Sequence, residues 1–168
     1  FDGLPTRKKL EMLSVERNLP TELHEFLNTL KQIYTQEIVM QKCRPKFVHE
    51  KALAHLKSMG YQMAVCSNSV RASVELMMEK AGLISYFDLL ISNEDVTNGK
   101  PDPEMYLTAM KRLGVSSREC LILEDNENGI KAAIASKGHL MRISDVQDVN
   151  LEDILSKINE IEKSGVSA

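Results

Sequence analysis

From Val48 onward the chain alternates between two apolar rhythms, and few folds accept that alternation. Ala52, Leu53, Leu56 and Met59 recur at helical spacing and stop at Gly60. Residues 61–66 (YQMAVC) then read as a buried strand. The same pair of signals returns three times. A helix is predicted over 70–81, closed by Gly82, before a strand over 87–91 (FDLLI). A helix over 103–113 stops at Gly114 before a strand over 121–123. A helix over 130–136 ends at Gly138 before a strand over 140–143. A last amphipathic helix is expected over 151–161. Strands separated by helices of this length imply right-handed crossovers and a parallel sheet covered on both faces, a doubly wound α/β domain.

The first forty residues follow a different pattern. Residues 5–42 read as helical throughout: Leu10, Met12, Leu13 and Val15, then Leu23, Phe26, Leu27 and Leu30, then Ile33, Tyr34, Ile38 and Val39. Pro20 and Thr21 mark a new helix start, and the pattern breaks around 43–45. The organisation expected is a small all-helical unit over residues 1–44 and an α/β unit over 45–168. A net charge of −3 offers no general attraction for nucleic acid or an anionic membrane. Cys43, Cys66 and Cys120 are an odd set without CxxC spacing, which fits a reducing cytoplasm better than a disulfide framework. No apolar run has the length of a membrane span.

In open parallel sheets, ligands bind beyond the carboxyl ends of the strands. The first strand is followed by Ser67-Asn68-Ser69, a hydroxyl and an amide leading into a helix start. Beyond the second lies Asn98-Gly99-Lys100-Pro101-Asp102-Pro103, and after the third come the adjacent carboxylates Glu124 and Asp125. Each feature alone has an ordinary structural use: Ser67 can cap its helix, Lys100 can be solvated, and an acidic pair can serve a helix dipole. Their joint occurrence, in this order and each at a strand end, suggests donors for phosphoryl oxygens beside carboxylates for a hard divalent cation. Glycine-rich nucleotide-binding patterns are absent from the sequence.

SNS at 67–69, GKPDP at 99–103 and LEDNENGI at 123–130 resemble motifs II, III and IV of the haloacid dehalogenase-like hydrolase superfamily. The branch they resemble holds phosphatases and beta-phosphoglucomutases with a small helical cap. The resemblance covers nearly the whole chain and implies a Rossmann-like core, with residues 1–44 as part of the cap. It further implies that Ser67 and Asn68 bind phosphoryl oxygens and that Lys100 neutralises the phosphoryl group and the nucleophile. Asp125 and Glu124 would hold Mg2+, with Asp125 the more direct ligand. Relatives carry a second acid four residues beyond that aspartate; here Gly129 stands there, with an acid immediately before instead. The activity implied is a Mg-dependent phosphatase or phosphohexomutase acting on small phosphorylated metabolites such as sugar phosphates.

One part of the family pattern is missing. The chemistry of such enzymes starts at an Asp-x-Asp at the end of the first, central strand, and this sequence contains no Asp-x-Asp. Phe1-Asp2-Gly3 is only superficially similar, because no second Asp follows and helical residues begin at once. The stretch better resembles a loop inside the cap, where an arginine helps recognise substrate, which makes Arg7 a candidate. A sheet without its first central strand is therefore expected, with unpaired edges prone to association, no turnover by the chain as it stands, and weak metal affinity. Two other readings compete with the enzyme. A receiver-like phosphoacceptor domain would place its acidic pair after the first strand and its lysine last, whereas the order here is Ser, Lys, acids. A non-catalytic binding protein could retain the fold without the nucleophile. Among the remaining residues, His24, His49, His55 and His139 lack ligand spacing, Met77 and Met78 are expected to fill core gaps, and Arg71 is expected to be solvated.

Overall fold

The computed structural model describes residues 3–165. The reading of Phe1 and Asp2 as part of a cap loop lies outside the described residues.

The helical start of the chain is two helices with a real break between them. α1 (Thr6–Arg17) ends at Asn18, whose left-handed backbone (φ 54°) reverses the chain. A short 3₁₀ turn over Thr21–Leu23 then starts α2 (His24–Lys42). The Ser14 hydroxyl donates to the Leu19 carbonyl (2.7 Å) and lies 2.7 Å from His24 Nε2, which therefore donates to Ser14 and pins the turn. α2 packs on α4 (Arg71–Lys80), where the buried Ser73 hydroxyl donates to Gln32 Oε1 at 3.1 Å. The opposite side of α2 leaves Phe26, Ile33, Tyr34 and Ile38 exposed.

The α/β part follows the expected alternation: α3 (Phe47–Ser58), β1 (Ala64–Cys66), α4, β2 (Leu89–Ile91), α5 (Glu104–Leu113), β3 (Leu121–Glu124), α6 (Glu127–Ser136), β4 (His139–Arg142) and α7 (Leu151–Gly165). All pairing is parallel. β1 lies against β2 with Ala64 opposite Leu89, and β3 against β4 with Leu121 opposite His139. Among the described residues the two pairs share no ladder, so the sheet is split between β1 and β3. α5 spans the split. It packs on β1, on β2 and on α6, and Tyr106 and Met110 form a core cluster with Ile122, Ala132 and Ala133, against which Cys66 rests. α3 and α7 close the other face over Ala52, Leu56, Met63 and Ile154.

Strand ends differ from the periodicity by up to three residues. The first strand begins at Ala64 rather than 61 because the Met63 N–H goes to the Asp88 carboxylate (2.9 Å) instead of a ladder carbonyl. Arg71 is a correction of a different kind, since its side chain, although 38% exposed, is held in ion pairs. Its Nη2 donates to Asp95 Oδ2 at 2.6 Å, and Glu75 lies 3.6 Å away.

Asp95 also accepts from the Ser92 N–H and hydroxyl, both at 2.8 Å, and Arg112 lies 3.5 Å away. Burial alone would raise this carboxyl, but the Ser92 donors and Arg71 prevail and hold it at about 2, below its ordinary 3.8. A depressed folded-state value stabilises the protein above the unfolded pKa and is lost as pH falls from about 4 to 2. That contribution is about 2 kcal/mol. Urea unfolding across this pH range should show the acid limb in the parent and a flattened one in Asp95→Asn; an unchanged limb would remove Asp95 from the account.

Candidate active site

Three loops converge at the carboxyl ends of the strands. The first follows β1. Ser67 extends the ladder through its N–H to the Ile91 carbonyl (2.9 Å), and its Oγ accepts from the Ser69 N–H (3.2 Å). That leaves the hydroxyl proton of Ser67 directed by whatever acceptor arrives. Asn68 is used differently from the sequence expectation. Its Nδ2 donates to the carbonyls of Gly3 (2.8 Å) and Lys100 (3.0 Å), and its Oδ1 accepts from the Lys100 N–H (2.9 Å). The side-chain amide thus clamps three segments and has no hydrogen left for a ligand. Gly99 permits this closeness, since a Cβ there would lie 2.5 Å from Asn68 Oδ1.

The second loop carries Lys100. It is knit by Glu104, whose carboxylate accepts from the backbone N–H groups of Thr97 and Asn98, both at 2.8 Å. These donors hold that carboxyl below its ordinary range. The Lys100 ammonium pairs with Glu124 and lies 5.2 Å from the centre of the Tyr106 ring.

The third loop follows β3. Its two adjacent acids have opposite surroundings, as neighbours at a strand end must. Glu124 turns inward, 8% exposed, where one carboxylate oxygen receives both the Lys100 ammonium and the Tyr106 hydroxyl. Its carboxylate lies against Gly129, where a Cβ would overlap it. Asp125 is exposed, and Asn126 Oδ1 caps α6 by accepting from the Asn128 N–H at 2.9 Å. Asp125 is the carboxylate of the pair left exposed at the rim, and it suits Mg2+, which binds through one or two protein carboxylates plus substrate oxygens and waters. Among the described residues no group of three or more metal-ligating side chains forms.

Beside this rim is a cavity of about 490 Å3. The Asn68–Val70 loop and Asn93 form one wall, and His24, Asn28, Lys31 and Gln32 on α2 form the other. Arg7 also lines it, with its Nε 3.0 Å from Glu11. Partial burial and the charge of Lys9 lower the pKa of Lys31. Ser67, Asn68, Lys100, Glu124 and Asp125 thus meet at the strand ends, whereas Arg7 stands at the cavity's outer wall. Tyr106 escaped the sequence reading, because one aromatic in an amphipathic helix looks like core. The available signal was its hydroxyl, since a buried Tyr needs a partner, and the acid at the neighbouring strand end could supply one. Cys66, whose thiol burial pushes up to about 12, has no nucleophilic character here.

No helix among the described residues is long and apolar enough to cross a membrane. The chain is 27% identical over 135 residues to a phosphorylated carbohydrates phosphatase of Thermotoga maritima, covering 78% of this chain and 60% of that protein. To a pyrophosphatase, PpaX, of Bacillus velezensis it is 29% identical over 133 residues, 79% of this chain and 54% of the other. It therefore spans less than two thirds of the length of either relative. Its fold is that of a beta-phosphoglucomutase from Clostridium difficile, with a TM-score of 0.77 at 20% identity over 94% of this chain and 78% of that one. The sequence profile of the haloacid dehalogenase-like hydrolases matches residues 1–143, so the chain belongs to that family.

Proposed function

We propose that this chain carries the phosphoryl-binding site of a Mg-dependent enzyme that removes or transfers the phosphoryl group of small phosphorylated metabolites, sugar phosphates first among them. The observation that carries this reading is the convergence of Ser67, Lys100 and Asp125 at one rim, with a cavity alongside that Asn28, Gln32, Ser69 and Asn93 help to line. Ser67 would donate to a phosphoryl oxygen, and Lys100 would neutralise the charge that accumulates there. Asp125, with Glu124 behind it, would hold the magnesium, which when bound polarises the phosphoryl group and screens its charge. Asn68 would act through the two loops it clamps. The helices over residues 1–44 would serve as part of a cap on the core over 45–168. The amides and hydroxyls facing the cavity suit a leaving group rich in hydroxyls, which agrees with a relative named for phosphorylated carbohydrates. The nucleophile would come from an Asp-x-Asp on a strand between β1 and β3. Free Cys43, Cys66 and Cys120 fit a cytoplasmic setting.

Binding tests the reading without requiring turnover. Inorganic phosphate titrated with Mg2+ into the 15N-labelled chain should shift the amides of residues 67–69, 100 and 125. Lys100→Ala should weaken that binding about tenfold, the loss of one charged hydrogen bond. A chain that ignores phosphate at millimolar concentration sinks the proposal. The sequence's lack of an Asp-x-Asp favours one second reading, a protein that binds phosphorylated ligands without transforming them.

A further inference from the structure

The geometry points to Tyr106 as the positioning residue of this site, with its hydroxyl fixing Glu124 as the anchor of the Lys100 ammonium. The inference rests on the phosphoryl-transfer reading for its purpose, though not for its geometry. A lysine side chain on a loop has many rotamers open to it, so a useful ammonium must be held by something rigid. Here the rigid body is a phenol rooted in the core. Tyr106 is 6% exposed and packs among Met110, Ile122, Ala132 and Ala133. Its hydroxyl donates to the Glu124 oxygen that also receives Lys100, and its ring face lies beneath the ammonium at 5.2 Å. Gly129 backs the carboxylate, where a side chain would displace it.

Position is thus passed from Tyr106 to Glu124 and from Glu124 to Lys100, across the split between β1 and β3. This arrangement assigns the two adjacent acids different tasks. Glu124 is engaged inward with the lysine, and the exposed Asp125 is left for a cation. It also gives α5 a role beyond packing, because the helix that follows the lysine loop carries the group that fixes the lysine.

The test is Tyr106→Phe in the full chain, which keeps the ring and its packing and removes only the hydroxyl; Glu124→Gln is the second variant. Acylation of individual lysines by acetic anhydride is read by mass spectrometry, with the exposed Lys8 and Lys131 as internal references. In the parent, Lys100, whose side chain is 12% exposed, should react slowly relative to both. In either variant its relative rate should rise roughly tenfold, and phosphate affinity should fall severalfold, as when one hydrogen bond to a charged group is lost. A purely structural tyrosine would lower the melting temperature and leave the relative rate at Lys100 unchanged below the melt, which would overturn the inference. A parent chain that binds no phosphate defeats the functional reading, and the acylation rates still judge Tyr106.

Discussion

Gly129→Ala should lower the melting temperature by about 5–10 °C, although alanine is the better helix former. Gly129 lies in the first turn of α6 and is buried, with an ordinary helical backbone. Propensity alone would favour alanine by about 1 kcal/mol. Against that, a methyl group would occupy the space of the Glu124 carboxylate. A free carboxylate could swing away at little cost, but this one is held by Lys100 and Tyr106. Expelling it leaves a buried phenol hydroxyl and a largely buried ammonium without their acceptor. Losing one partner of such a pair costs about 3–5 kcal/mol. The net loss is about 2–4 kcal/mol, and each kcal/mol moves the melt of a domain this size by about 2–4 °C. The double-mutant cycle makes the cause explicit. In a Glu124→Ala background the same Gly129→Ala change should be neutral or slightly stabilising, because nothing is left to expel. Equal falls in both backgrounds would show that the glycine serves the backbone and not the carboxylate.

The same residue shows how far the sequence was legible. Gly129 was recognisable as a departure from the acid found there in relatives, but its purpose required knowing which side chain fills the vacated space. The alternation of strands and helices needed only local periodicity, and each predicted element forms close to where expected. Strand limits were harder because partners set them. Asp88 takes the Met63 N–H by side chain, and no hydropathy pattern distinguishes that from a ladder bond. The candidate site was legible because its residues lie at the carboxyl ends of strands or on the loops that leave them. Tyr106 was not, since its role depends on a contact with Glu124 on a different element. The ion pair of Arg71 was missed for a similar reason: its partner Asp95 is on the loop after the next strand, out of reach of any helical spacing rule.

On the proposed reading, the chain of 168 residues should turn over p-nitrophenyl phosphate with Mg2+ roughly a million-fold below the ~10 s⁻¹ usual for enzymes. The sequence has Ser67, Lys100 and Asp125 to bind and neutralise a phosphoryl group but no Asp-x-Asp to attack it. Positioning and charge stabilisation without a nucleophile retain only a small part of an enzyme's advantage over water. The split between β1 and β3 suggests where the nucleophile belongs. Among the described residues each ladder has two strands, so β1 and β3 have an edge free of ladder bonds, and an extended segment can pair with such edges. A synthetic strand of apolar residues ending in Asp-x-Asp-Gly, added in trans or fused ahead of residue 1, should pair there. Its first carboxylate would then lie near Lys100 and Asp125, and turnover should become measurable. Replacing that first Asp by Asn should abolish the gain while leaving strand pairing intact, which separates nucleophilic attack from simple closure of the sheet. Turnover at the usual rate by the chain alone would refute the reading, because it would require a nucleophile among residues that here bind, clamp or hold charge.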